Sequence, residues 1–392
     1  MKDALQEISD WLIHQGLDGT EFAPMIAGFC ERVAGAGIPL GRGMVAMRTL
    51  HPEIDAHSFI WRPDAPLEVT DFGMDATPAP SFLASPLNYL LTHDRETELR
   101  RRLTGPDATL DFDVLREFRD EGFTDYFIQK IPFAVTSGGP RETGMLCSWM
   151  SVSEDGFSDA HLNAFRRLAP RLGLSVSHTL QREITLNVLD TYVGADAGGR
   201  ILSGEIRRGS LREIDAVILY MDLRGFTALS DGMDGAYMAD LLNAYFECIV
   251  PEIVSRGGEV LKYMGDGVLA TFNLAGDPEH TICESGLRAA LAALDNARAL
   301  NDERRRAGDP VLDLDIAVHM GRVQYGNVGA SNRLDFTVIG AAVNEASRLE
   351  ALCDEVDRRI VVSETFAAAA TGCAEHLVSL GRHSLRGVRG EQ

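Results

Sequence analysis

The second half of the chain carries the strongest constraint on what it can fold into. The apolar run Ala216-Val217-Ile218-Leu219-Tyr220-Met221 stops at Asp222 and gives way to Leu223-Arg224-Gly225-Phe226-Thr227. Farther on, Met264-Gly265-Asp266-Gly267 separates two short stretches, 259–263 and 268–272. A continuous apolar run bounded by turn residues reads as a buried strand, and two short runs around a Gly-bearing tetrapeptide read as a hairpin. Each carboxylate therefore falls where a buried strand ends, beside glycines that let a ligand approach the backbone. Two acids so placed suit divalent cations, and paired cations can drive phosphoryl chemistry on a nucleotide. Taken singly, either acid reads equally well as a turn cap.

The surrounding pattern runs strand, helix, two strands, helix, strand. Met238, Leu241, Leu242, Tyr245, Phe246, Ile249 and Ile253 predict an amphipathic helix over 235–255. Helices are also expected over 279–306 and 342–353, and strands over 312–319, 323–328 and 336–339. This order is the split βαβ, ferredoxin-like arrangement of an α+β domain. In the first part, helices over 3–15, 21–33 and 111–121 alternate with strands over 43–49, 58–61, 126–136 and 144–152. They imply a sheet covered by helices. Residues 71–86, rich in Pro, Ala and Ser, read as a loop over that sheet.

Between these parts, Ser158-Asp159 offers an N-cap to a helix reaching about Tyr192. Leu162, Phe165, Ala169, Leu172 and Val176 form a stripe, resumed by Leu180, Ile184 and Val188. The stripe suits either a dimer-forming connector or a helix packed on its own domain. Pro170 is expected to kink the helix or to start a new one. The expected division is therefore 1–157, a helical connector over 158–210, and 211–392.

Composition narrows the function. The chain has 392 residues and a net charge of −21, which argues against nucleic acid as a partner, since phosphate backbones need a dense basic face. A nucleotide substrate would need local Arg, Lys or metal ions to overcome the same repulsion. The six cysteines are dispersed, without a Cys-x-x-Cys pair, so neither a zinc site nor a disulfide framework is indicated. No apolar run approaches the roughly 20 residues of a membrane span, and the N-terminus lacks a signal-peptide core. A cytoplasmic protein is expected.

With these motifs in place, residues from about 211 to 390 resemble the class III nucleotidyl cyclase catalytic domain, the family of adenylyl and guanylyl cyclases. The resemblance implies that Asp222 and Asp266 hold two divalent cations, Mg2+ or Mn2+, and that Phe226 and Thr227, which follow Asp222, belong to the substrate site. Lys262 stands where adenylyl cyclases carry a base-recognising lysine. A lysine can donate to adenine N1, an acceptor, whereas guanine N1 carries a proton. Thr337, in Asp335-Phe336-Thr337-Val338-Ile339-Gly340, stands at the second base-selecting position, and the Lys/Thr pair is that of a bacterial-type subgroup using ATP. Asn344 and Arg348 match the pair that orients the ribose and meets charge developing on the α-phosphate. Four residues apart on a helix, they share one face. Arg386 and Arg389, in Leu385-Arg386-Gly387-Val388-Arg389-Gly390, resemble the basic motif that binds the triphosphate, Arg386 first among them. The family works as head-to-tail dimers, with the aspartates from one chain and Lys262, Thr337, Asn344 and Arg348 from the other. A homodimer with shared sites is thus implied, converting ATP to cyclic AMP and pyrophosphate.

Three rivals bear on this reading. Lys262 disfavours a guanylyl cyclase. The Gly-Gly-Asp/Glu-Glu-Phe hairpin of diguanylate cyclases is absent. A silent nucleotide-binding regulator would have lost one of Asp222, Asp266, Asn344 or Arg348, and all four are present.

The first part resembles a GAF-type sensor, on its element order and on Phe157-Ser158-Asp159-Ala160-His161-Leu162 entering the exit helix. The cyclic-nucleotide signature of such domains and a bilin-attaching Cys-His pair are absent. His51, His57 and His93 could ligate haem or metal, or be structural. Trp61, Phe72, Phe82, Tyr89, Tyr126, Phe127 and Trp149 either line a pocket or pack the core. The signal it receives is not named by the sequence. The glycine-bearing segment 192–210 resembles the transducer element that precedes many cyclase domains.

Overall fold

The computed structural model describes residues 2–74, 76–93, 95–133, 144–388 and 390–392. The chain divides into two compact units, Met1–Val188 and Leu189–Gln392. The boundary falls inside the span read from the sequence as a connector.

The first unit runs α1 (Lys2–Asp18), α2 (Phe22–Gly35), β1 (Leu40–Arg48), β2 (Ile54–Trp61), β3 (Glu68–Gly73), α3 (Pro80–Leu83), α4 (Pro86–Thr92), β4 (Glu98–Arg102), α5 (Asp113–Asp120), β5 (Asp125–Pro132), β6 (Gly144–Ser151) and α6 (Asp159–Val193). Its strands form a sheet in the order β3-β2-β1-β6-β5-β4. Alternation along the strands gives the sheet two different faces. Val45, Phe127, Cys147 and Trp149 face α1, α2 and α6, where Phe29 and Phe165 complete an aromatic core. The rings of Trp149 and Phe165 stack with centroids 4.9 Å apart. Tyr126, Ile128, Leu146 and Met150 face the other way, toward Leu90 of α4 and Leu115 of α5.

Three expectations change here. Residues 71–86 are not simply a loop: β3 extends to Gly73, and α3 follows. Pro170 does not break α6, which continues through it to Val193. The missing amide costs one backbone bond, but Phe165, Leu168, Leu172, Val176 and Leu180 are buried on either side of Pro170 and hold the helix down. That burial also decides how the stripe is used over 162–180, which packs on its own unit. The part of the 126–136 strand beyond Phe133 lies outside the described residues.

The second unit continues with α7 (Ala195–Leu202), β7 (Leu211–Arg224), α8 (Phe226–Ser230), α9 (Gly235–Val254), β8 (Glu259–Met264), β9 (Gly267–Asn273), α10 (Glu279–Ala307), β10 (Asp313–Ala330), β11 (Arg333–Ile339), α11 (Ala341–Glu355), β12 (Ile360–Val362), α12 (Glu364–Ala369) and a 3-10 turn (Thr371–His376). The sheet order is β11-β10-β7-β9-β8, with β12 parallel to β10. Each crossover helix therefore spans a strand of the other: α9 links β7 to β8 across β9, and α10 links β9 to β10 across β7. The two strands expected over 312–328 are one long strand, because Gly321 continues the ladder with β7 opposite Ala216. β12 and its parallel pairing were not expected.

Odd residues of β7 (Val217, Leu219, Met221, Leu223) bury under α9 and α10. Even residues (Ala216, Ile218) bury on the opposite face, with Ala342 and Ala346 of α11. Deep between α9, α10 and β10, the Tyr245 hydroxyl bonds Asn301 and accepts from the Leu312 amide at 2.7 Å, while Asn301 Nδ2 donates to the Leu312 carbonyl at 2.8 Å. This satisfied network fixes where β10 begins. Among the described residues no helix is long and apolar enough to cross a membrane.

Candidate active site

Asp222 follows Ala216, Ile218 and Tyr220 on the even face of β7, and the strand does not stop there as expected but continues to Arg224. Beside it, β8 and β9 meet in a two-residue turn, with Met264 paired to Gly267. Gly265 adopts φ +69° at the first central position, the backbone a II′ hairpin turn requires and one that suits glycine. This turn sets Asp266 next to Asp222. Burial, and then the neighbouring Asp266 charge, push the Asp222 carboxyl up to about 6. A half-buried acid whose ionisation is opposed by a neighbouring carboxylate suits a cation between the two.

Asp315 of β10 lies directly opposite Asp222 in the ladder. It is 4% exposed, accepts from Arg224 Nε at 2.7 Å and from Arg359 Nη1 at 3.0 Å, and is thereby neutralised. Arg359 also donates to Asp313 at 2.6 Å. Glu350 of α11 is pushed up to about 7 by burial and then by the charge of Asp222, with Asp315 and Asp266 acting the same way. Among the described residues no group of three or more His, Cys, Asp or Glu side chains is arranged to hold a metal. Asp222 and Asp266 alone suit a cation such as Mg2+, which binds through one or two carboxylates and completes its shell with water and substrate phosphates.

Lys262 shares the hairpin with Asp266. Although β8 and β11 stand at opposite ends of the sheet order, the sheet curls enough for the Lys262 ammonium to meet the Asp335 carboxylate. Asp335 lies two residues before Thr337 and so on the same strand face. Thr337 is 8% exposed and pairs with Gly326 of β10. The structure thus joins Lys262 to Asp335, with Thr337 two residues further along the same strand. Sequence reasoning quoted Asp335 without a role; the period-two spacing from Thr337 was the signal available.

Asn344 and Arg348 sit on the exposed face of α11, opposite Ala342, Ala346 and Leu349. A tight approach holds the helix in place: a Cβ on Gly321 would come 2.7 Å from that of Ala342. Neither Asn344 nor Arg348 makes a side-chain hydrogen bond or ion pair with a described residue, so both face outward, away from their own sheet. Phe226 packs against the core under α9 and α10, and Thr227 is exposed. Arg386 is exposed in the turn after buried Leu385; Arg389 lies outside the described residues.

Residues 211–392 match the model of the adenylate and guanylate cyclase catalytic domain family. This segment is a class III cyclase catalytic domain. The chain is 36% identical over 182 residues to the adenylate cyclase of Anabaena cylindrica, covering 45% of this chain and 35% of that protein. It is 29% identical over 155 residues to adenylate cyclase 1 of Rhizobium meliloti, covering 39% and 23%. The chain thus spans about a third or less of these relatives' lengths. The cyclase domain is also similar to the crystal structure of the adenylyl cyclase CyaB from P. aeruginosa, at 24% identity and a TM-score of 0.42, covering 46% of this chain and 92% of that one.

In the N-terminal unit, the histidines have local partners. His57 Nδ1 lies 2.7 Å from Asp71, and His93 stacks on Tyr89 at 4.0 Å. His51 Nδ1 accepts from the Glu53 amide at 3.1 Å. Of the aromatic residues singled out from the sequence, Trp61, Tyr126, Phe127 and Trp149 are buried in the packed clusters, whereas Phe72 and Phe82 are exposed.

Proposed function

We propose that the chain is an adenylyl cyclase, converting ATP to 3′,5′-cyclic AMP and pyrophosphate. The observation that carries this reading is the hairpin that bears both Lys262, in its first strand, and Asp266, at its turn, with Asp222 beside that turn. Asp222 and Asp266 hold the divalent cations, two Mg2+ or Mn2+. When bound, these supply charge neutralisation for the triphosphate and acidify the ribose 3′-hydroxyl that attacks the α-phosphate. Lys262 donates to adenine N1, Asp335 fixes the direction of its ammonium, and the Thr337 hydroxyl accepts from the adenine amino group. Asn344 orients the ribose. Arg348 stabilises the charge that grows on the α-phosphate, and Arg386 takes the triphosphate tail.

The outward direction of Asn344 and Arg348 supports a homodimer in which each site draws the aspartates from one chain and the other residues from its partner. The N-terminal unit acts as a GAF-like sensor, and 158–210 as the connector that transmits its state to the catalytic dimer in the cytoplasm. Incubating the purified protein with ATP or GTP and Mn2+, then identifying the product, tests the reading. Cyclic AMP from ATP is expected. Cyclic GMP as the main product would assign a guanylyl cyclase, and no cyclic product from either nucleotide would assign a silent regulator.

A further inference from the structure

In the N-terminal unit, Arg42 of β1, Ser148 of β6 and Tyr126 of β5 share the sheet face that looks toward α4 and α5. Met150 pairs with Arg42 on one side and with Tyr126 on the other, and Ser148 lies two residues before Met150, on the same face. Arg42 is 9% exposed, and Tyr126 and Ser148 are each 1% exposed. Yet Arg42 Nε, the Tyr126 hydroxyl and the Ser148 hydroxyl are buried without a hydrogen-bond partner. Ser148 lies near enough to Tyr126 to bear on its acidity, but the two hydroxyls do not meet in hydrogen-bond geometry.

Folded proteins rarely leave one such group unmade, and here three from adjacent strands converge among Leu115, Phe118, Ile128 and Leu146. Arg42 Nε, part of a charged group, is the most costly of them to leave unpaired. Its described contact is with the Phe118 ring, 5.3 Å from the centroid. The nearby Glu121 is engaged by Arg62 at 3.1 Å. The same sheet shows what a satisfied charge looks like. Asp125 is fully buried, but accepts from Arg100 at 2.7 Å and from the Phe157 amide at 2.9 Å. Burial, followed by the Arg62 charge, lowers the Arg42 pKa, against smaller opposing effects of Tyr126, Glu121 and Glu68.

We propose that Arg42, Tyr126 and Ser148 form a site for the carboxylate of a small, largely apolar ligand. One guanidinium and two hydroxyl donors match a singly charged carboxylate. A phosphate dianion would bring a second charge that the apolar walls could not balance. Those walls suit a hydrocarbon or aromatic body. α4 reaches this cluster through Leu90, whereas α3, next to it in the chain, buries no residue and leaves Leu83 55% exposed.

The test is heat denaturation of the full chain with benzoate, hexanoate, inorganic phosphate or benzyl alcohol. At least one carboxylate is expected to raise Tm saturably, while phosphate and the neutral alcohol do not. Arg42→Met and Tyr126→Phe are each expected to weaken carboxylate binding about tenfold to a hundredfold. Should Arg42→Met fail to fold, Tyr126→Phe, which keeps the ring, carries the test. No saturable shift with either carboxylate, an equal shift with phosphate, or a shift that survives in the folded variants overturns the proposal.

Discussion

Asp222 and Asp315 face each other across β7 and β10, yet the two sides of that ladder handle charge differently. On the β10 side, Asp313 and Asp315 are held by Arg359, and Arg224 completes the neutralisation of Asp315. On the β7 side, Asp222 meets Asp266 and is pushed up to about 6 rather than paired. On the arginine-held side each carboxylate has a guanidinium partner, the pattern of a structural rim. The Asp222–Asp266 turn carries a charge that the chain does not balance, and the proposed function assigns that charge to a cation. The same distinction separates Asp125 from Arg42 in the N-terminal unit.

Four substitutions break or sharpen that contrast. The largest effect is expected from Asp266→Ala, which should lower cyclase turnover about a thousandfold or more while leaving Tm near that of the wild type. Asp315→Ala should do the reverse. It leaves Arg359 with Asp313 and Arg224 with the exposed Asp354 as their remaining partners, and costs about 2 kcal/mol of stability in a denaturant melt, a figure reduced from the fully buried case because both arginines are partly exposed. If turnover fell for Asp315→Ala as far as for Asp266→Ala, the two sides would not differ in kind.

Asp335→Asn should loosen the Lys262 ammonium and reduce the preference for ATP over GTP about tenfold in kcat/KM. A change in stability with unaltered preference would make the ion pair structural. The smallest effect concerns Asp222→Asn in the absence of metal. Because the folded pKa of Asp222 is raised, the folded state holds its proton more tightly than the unfolded chain does. The carboxylate therefore costs stability increasingly as pH rises from its ordinary value of 3.8 to about 6, in full above that, and nothing well below 3.8, where both states are protonated. The variant should be more stable than the wild type by about 1 kcal/mol at pH 8, allowing for half-exposure, and equal to it only near about pH 3 or below.

Much of the catalytic unit was legible because its signals are local. Buried strands show as apolar runs, the turn as Gly265-Asp266, and α9 as a stripe from Met238 to Ile253. The exposed face shared by Asn344 and Arg348 follows from helical spacing alone. What stayed hidden depends on contacts distant in sequence. The meeting of Lys262 with Asp335 needs the curl of the sheet, and the pairing of Asp315 with Arg224 and Arg359 needs the register of β10. The passage of α6 through Pro170 needs the core beneath it. In the N-terminal unit, β3 was missed because its residues are all exposed, which removes the alternation that announces a strand. Arg42 carried no signal, since a lone arginine in a strand reads as a surface residue until its burial is seen.

The central claim is that one chain supplies the unbalanced acids and a second copy supplies the outward-facing pair. Mixing an Asp222→Ala chain with an Arg348→Ala chain tests it directly. Each variant alone should be inactive, and the mixture should recover activity, because mixed dimers rebuild one intact site. A mixture as inactive as its parents, under conditions where exchange of chains is shown to occur, would contradict the account.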